Sequence, residues 1–153
     1  MSLQNGDVAP NFTLTNLDRQ PISLSNYSGK KVILLFMPGA FTGVCTKEIC
    51  SIQSSFASYQ NLNAEVLAIT VDSPFANKAW ADANGINYPV LSDYTRETIS
   101  QYGGLHLDFA GMIGYSAAKR AVFVVDESGK IKYSWISEQP GVEPNYEEIK
   151  NAL

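Results

Sequence analysis

With 153 residues, 45% of them hydrophobic and 17% charged, the chain has the composition of one packed domain rather than of a disordered segment. A formal net charge of −4, with no Lys/Arg cluster beyond the pairs Lys30-Lys31 and Lys119-Arg120, argues against nucleic acid, which is normally met by a basic stripe. No apolar run approaches the length of a membrane span, and the stretch from Met1 to Asp7 lacks the cationic and apolar regions of a secretory leader; a cytoplasmic location, with no membrane partner, is the expectation.

In chain order, residues 8–15 alternate apolar and polar as an edge strand does, and Ile22-Ser23-Leu24 reads as its hairpin partner across the turn at 17–21. Val32 to Met37 is a continuous apolar run, the pattern of a strand buried on both faces. Cys45, Ile49, Ile52, Phe56 and Tyr59 then step by four, three, four and three, one apolar stripe of a helix for which Thr42 is a plausible N-cap. A second buried strand spans 65–71. Pro74 suits the first turn of the next helix, which stops near Asn84-Gly85. Tyr88 to Asp93 reads as a short strand and turn, and Arg96 to Tyr102 as a short helix ending at Gly103-Gly104.

The glycine-rich stretch 103–119 reads as an irregular surface segment. Ala121–Val125 and Lys130–Ile136 flank Asp126-Glu127-Ser128-Gly129 as an antiparallel hairpin, and Asn145 to Leu153 reads as a closing helix. This order predicts an α/β chain. Its central sheet mixes parallel and antiparallel strands and is flanked by helices, a thioredoxin-like arrangement with an N-terminal β-hairpin and an insertion, in one domain over 1–153.

The chemistry concentrates in residues 38–50, Pro-Gly-Ala-Phe-Thr-Gly-Val-Cys-Thr-Lys-Glu-Ile-Cys. Strand, turn and helix put Cys45 in the first turn of a helix, where unpaired N–H groups and the positive end of the helix dipole favour a thiolate. A thiolate attacking an O–O bond expels an oxyanion, so the site needs donors for the peroxide, for the developing charge and for the sulfur. Thr42, three residues before Cys45, brings a hydroxyl to the same pocket. Pro38 fixes the loop and shields the sulfur. Arg120, just before a strand, reaches the sulfur if the two strands are neighbours. Glu48 can orient that arginine, or serve as a first-turn acid complementing the dipole. Each also has a plainer reading: Cys45 as a small core residue in the stripe, Thr42 as a cap only, Arg120 as a solvated charge. Two cysteines and one histidine, His106, supply at most three soft metal ligands, and no metal or other cofactor is expected. The four-residue cysteine spacing does not match a Cys-x-x-Cys dithiol, and Ser51 stands where a phosphatase loop needs arginine.

Taken together, these residues resemble the peroxiredoxins of the alkyl hydroperoxide reductase/thiol-specific antioxidant superfamily. Pro38 to Cys45 fits that family's Pro-x-x-x-Thr/Ser-x-x-Cys motif. Ala9-Pro10-Asn11-Phe12-Thr13-Leu14 looks like its opening, Val66 to Ser73 resembles its second core strand, and Arg120 to Asp126 its arginine-bearing strand. The likeness covers roughly residues 8–136. It implies a thiol peroxidase without metal, haem or flavin, acting on hydrogen peroxide or an organic hydroperoxide. Cys45 would be the peroxidatic cysteine, Thr42 and Arg120 its hydrogen-bonding partners, and Pro38 the pocket wall. Cys50 looks like the resolving cysteine of the PrxQ (bacterioferritin comigratory protein) group, which implies an intramolecular disulfide recycled by thioredoxin or a similar dithiol. The Ala-Phe-Thr-Gly-Val-Cys wording is closer to the AhpE-like one-cysteine group, which would leave resolution to an external thiol. A non-enzymatic thiol redox sensor or binding module on the same scaffold is the rival from another class. Residues 103–119 lie where the family often builds a dimer contact, so the chain is expected as a monomer or a homodimer.

Overall fold

The computed structural model describes residues 3–153; Met1 and Ser2, the first two residues of the stretch read above for a leader, lie outside the described residues. A seven-stranded mixed sheet runs through the centre in the order β2-β1-β5-β4-β3-β8-β9. Its parallel part is β3 (Lys31–Phe36), β4 (Ala64–Thr70) and β5 (Val90–Ser92), joined by the crossovers α1–α2 (Gly43–Ser54, Phe56–Asn61) and α3 (Pro74–Ala83). On one side the hairpin β8 (Ala121–Val125) and β9 (Ile131–Ile136) adds antiparallel strands beside β3. On the other, the hairpin β1 (Thr13–Thr15) and β2 (Pro21–Ser23) pairs with β5.

The continuous apolar run of β3 makes it the centre of this sheet, and its period of two divides the core. Val32, Leu34 and Phe36 face one layer with Ile99 and Tyr102 of the α4 region (α4, Glu97–Gln101). Ile33, Leu35 and Met37 face the other with Cys45 and Ile49 of α1, Trp80 of α3 and Ile149 of α5 (Tyr146–Asn151). Helices therefore cover both faces, and the N-terminal end of α1 lies beyond the C-terminal end of β3. Among the described residues no helix is long and apolar enough to cross a membrane.

Four local expectations are corrected. The strand expected over 8–15 is ordered as strand only from Thr13; Pro10 has no N–H to give a ladder, and Val8 makes a single bridge to Lys130. Nor is it the edge: β2 is, because β1 pairs with β5 through Thr15 and Ser92. The helix expected to run through Tyr59 breaks at Ser55, whose ψ of 5° leaves the helical region, while the neighbouring Ser54 hydroxyl turns back onto the Ser51 carbonyl. The 103–119 segment holds a short ladder of β6 (Leu105–His106) and β7 (Ala117–Ala118), and both alanines of β7 are fully buried. In the β8–β9 turn, Gly129 has φ +85° and Asp126 Oδ1 accepts from the Ser128 and Lys130 amides, as expected of this turn composition.

Candidate active site

Cys45 is set in place by the end of β3 and the loop that follows. The Met37 amide continues the β3–β4 ladder to the Ile69 carbonyl (3.0 Å), after which residues 38–42 turn into α1. Within this loop Phe41 has φ +64°, and the Thr42 hydroxyl donates to the Gly39 carbonyl at 2.8 Å. Thr42 occupies the N-cap position with extended backbone, but its side chain does not cap the helix; the hydroxyl is taken by Gly39 instead. Cys45 is the third residue of α1 and fully buried, as is Glu48 one turn on along the same face.

Arg120 comes to this point through strand register. Antiparallel pairing sets Ala121 opposite Phe36, so the residue before Ala121 stands just past the end of β3. Alternation then turns Arg120 to the same face as Val122 and Val124, the face that α1 covers. Its Nη1 and Nη2 lie 3.3 and 3.4 Å from Cys45 Sγ. Nη1 also donates to Glu48 Oε1 at 3.0 Å, and Nε and Nη2 donate to the Pro140 carbonyl at 3.1 and 2.8 Å. The guanidinium is thus 2% exposed with every nitrogen engaged. Burial alone would lower its pKa, but the sulfur of Cys45 and the Glu48 carboxylate more than offset this and hold it above the ordinary arginine value.

Glu48 is the other half of that balance. Burial pushes its carboxyl up to about 7, against the lowering effect of Arg120 and with a further push from Glu143. Its Oε2 is buried without a hydrogen-bond partner among the described residues. Around the pair, Lys47 of α1 lies 3.3 Å from Glu143, which also accepts from the Tyr146 hydroxyl (2.6 Å). The Tyr146 bond, ahead of the lysine and against a smaller effect of burial, keeps Glu143 below its usual value. Trp80 of α3 donates its indole N–H to Thr46 Oγ1 at 3.0 Å. The segment after β9 therefore closes over the site, and the first turn of α1 is tied to its neighbours on two sides.

A cleft of about 220 Å³ opens here, lined by Pro38, Thr42, Val44, Phe109, Arg120 and Pro140. A larger cavity, about 330 Å³, lies at the far end of β3 between Tyr27, Val32 and Val125, with no cysteine in its lining. The structure thus brings Cys45, Glu48 and Arg120 into contact and puts Pro38 and Thr42 in the wall beside them. It does not bring Cys50 there. That residue is exposed on α1, its thiol 3.7 Å from Asn84 Oδ1, and both cysteines are free thiols. His106 packs edge-on against Phe109, at 5.3 Å between ring centroids. No three His, Cys, Asp or Glu side chains among the described residues form a metal-ligand set.

Two contributors escape sequence reasoning. The Pro140 carbonyl that anchors Arg120 is backbone, and Pro140-Gly141 signals only a turn. Asp72, which follows directly on the strand read over 65–71, accepts the Ala40 amide at 2.7 Å.

The AhpC/TSA family profile matches residues 5–134. Alkyl hydroperoxide reductase E of Mycobacterium bovis is 38% identical over 141 residues, covering 91% of this chain and 88% of that protein. A thiol peroxidase of Oceanobacillus iheyensis is 34% identical over 149 residues, covering 97% and 87%. Among solved structures, Enterococcus faecalis AhpC superposes with a TM-score of 0.84 at 32% identity, over 99% of this chain and 90% of its own.

Proposed function

Because the chain belongs to the AhpC/TSA family of peroxiredoxins, thiol-dependent peroxidases of thioredoxin fold, we propose that Cys45 reduces hydrogen peroxide and alkyl hydroperoxides and that Cys50 resolves the product. The thiolate attacks the terminal peroxide oxygen. An S–O bond forms and the O–O bond breaks. The expelled hydroxide or alkoxide takes a proton and leaves as water or alcohol, and Cys45 becomes a sulfenic acid. Arg120 holds the thiolate and the charge that develops along the breaking bond, with Glu48 fixing the plane of its fork. The Thr42 hydroxyl, its proton committed to Gly39, presents lone pairs that accept from the peroxide O–H. Pro38 keeps water off the sulfur. The observation that carries this reading is the two-nitrogen approach of Arg120 to Cys45 Sγ beside a cleft walled by Thr42 and Pro38.

In the second half-reaction the Cys50 thiol condenses with the sulfenic acid; an S–S bond forms and water leaves. Five residues along a regular helix separate Cα atoms by about 8–9 Å, beyond the limit of about 7 Å for a disulfide. Residues 43–48 must therefore unwind, and Gly43 at the first helical position weakens that turn. A thioredoxin-type dithiol then reduces the bond by exchange, in the cytoplasm, where such dithiols persist. Exposed Leu107, Met112 and Ile113, beside the cleft residue Phe109, support a homodimer through residues 103–119.

Peroxide loss in the presence of excess thioredoxin and its reductase tests the reading. Many turnovers per chain are expected. One equivalent followed by a stop would favour the sensor, and turnover only with monothiols would favour the one-cysteine cycle.

A further inference from the structure

We infer that Asp72 is a positioning residue for peroxide reduction: it fixes the Gly39–Ala40 peptide plane and, through that plane, the direction of the Thr42 hydroxyl. The two ends of a single peptide unit are held by different side chains. Its N–H, on Ala40, is taken by Asp72 Oδ2 at 2.7 Å; its C=O, on Gly39, is taken by the Thr42 hydroxyl at 2.8 Å. A planar trans unit points these groups in opposite directions, so fixing one fixes the other. With its proton on Gly39, Thr42 Oγ1 offers the cleft an acceptor only.

The anchor is itself rigid. The Asp72 amide donates to Thr70 Oγ1 (3.0 Å), that hydroxyl donates to Asn77 Oδ1 (2.8 Å), and the Ser92 hydroxyl donates to the Asp72 carbonyl. Thr70 and Asn77 are fully buried. Capping does not explain the Asp72 carboxylate, because Ser73 serves as the N-cap of α3 and accepts the Ala76 amide. The carboxylate instead lies over the loop: a Cβ built on Gly39 would sit 3.7 Å from Asp72 Oδ2 and 3.7 Å from Thr42 Cγ2. Without that acceptor the plane is free to turn over, since Gly39 tolerates backbone angles other residues avoid. A flipped plane would face the Ala40 N–H toward Thr42 and turn its hydroxyl proton into the cleft, where it opposes the peroxide O–H.

The inference rests on the peroxidase reading, and its test separates the two. The second-order rate of Cys45 oxidation by hydrogen peroxide is measured in one turnover for the wild type, Asp72→Ala and Asp72→Asn, beside the rate of alkylation by iodoacetamide, which needs the thiolate but not Thr42. Asp72→Ala should lose about 10- to 100-fold in peroxide rate, the factor that one charge-assisted hydrogen bond supplies, with alkylation unchanged. Asp72→Asn, whose Oδ1 can accept the same N–H, should retain most of the rate. An unchanged rate in Asp72→Ala, an equal fall in alkylation, or an Asp72→Asn variant as slow as the alanine would each overturn the assignment. Hydrogen exchange of the wild-type Ala40 amide is an independent check: protection is expected, and exchange at the rate of an open amide would overturn the clasp even if the alanine variant fails to fold. A wild-type protein that alkylates but does not consume peroxide would instead sink the peroxidase reading, leaving the Ala40 exchange result to decide the clasp alone.

Discussion

Replacing Arg120 removes more than a charge. Its guanidinium makes two approaches to Cys45 Sγ, one hydrogen bond to Glu48 and two to the Pro140 carbonyl, all at 2% exposure. Loss of one oxyanion donor lowers a rate by about 10²–10³. Two nitrogens face the sulfur here, so Arg120→Met should slow peroxide reduction by at least about 10²-fold. Lysine should not restore it, because a single ammonium cannot span Cys45, Glu48 and Pro140 together. The same change strips a buried carboxylate of its partner, and breaking a buried ion pair from one side costs about 3–5 kcal/mol of stability. Rate and stability must therefore be separated. Glu48→Gln in the Arg120→Met background removes the stranded carboxyl, so above pH 7, where that carboxyl would otherwise have to ionise in the core, the double variant should regain much of the lost melting temperature while its peroxide rate stays low. Stopped-flow oxidation and thermal melts on the two single variants and the double one provide the comparison. A folded double variant with the wild-type peroxide rate would refute the role given to Arg120.

Three further outcomes follow from the same geometry. Cys50→Ser should consume one equivalent of peroxide, lose thioredoxin-linked turnover and over-oxidise more readily at Cys45, as read by mass spectrometry; undiminished turnover would move the chain to the one-cysteine cycle. The Glu48 carboxyl titrates at about 7 when folded against 4.5 for the free group, so the folded state holds the extra proton between these values. Its contribution to stability is complete below pH 4.5 and is lost as pH rises through 7; melting temperatures should fall across that window in the wild type relative to Glu48→Gln, and parallel curves would contradict it. Peroxide treatment should accelerate hydrogen exchange in residues 43–48 and change Trp80 fluorescence, since unwinding removes its Thr46 partner; identical exchange before and after would rule out the unwinding.

How far the sequence reaches is set by the range of the interaction concerned. The apolar run of β3, the Cys45–Ile49–Ile52 stripe and the β8–β9 turn are local patterns, and each appears in the fold where periodicity puts it. Arg120 was legible only conditionally, because its reach to Cys45 depends on β3 and β8 being neighbours, a fact of sheet order that no local period carries. The same limit hid the place of β1 between β2 and β5. Serine competition with the helix backbone ended α1 where the apolar stripe alone would continue it. The Pro140 carbonyl and the Gly39–Ala40 peptide act through main-chain atoms, which every residue possesses, so composition cannot single them out.

The central claim, that Cys45 is the nucleophile and Cys50 its resolving partner, is tested most directly by intact-mass and peptide mapping of the reduced protein after one equivalent of hydrogen peroxide. The expected product is a monomeric chain two hydrogens lighter, with Cys45 and Cys50 joined in one cross-linked peptide. An unmodified Cys45 would contradict the peroxidase reading itself, and a lasting Cys45 sulfenic acid or an intersubunit disulfide would contradict the role of Cys50.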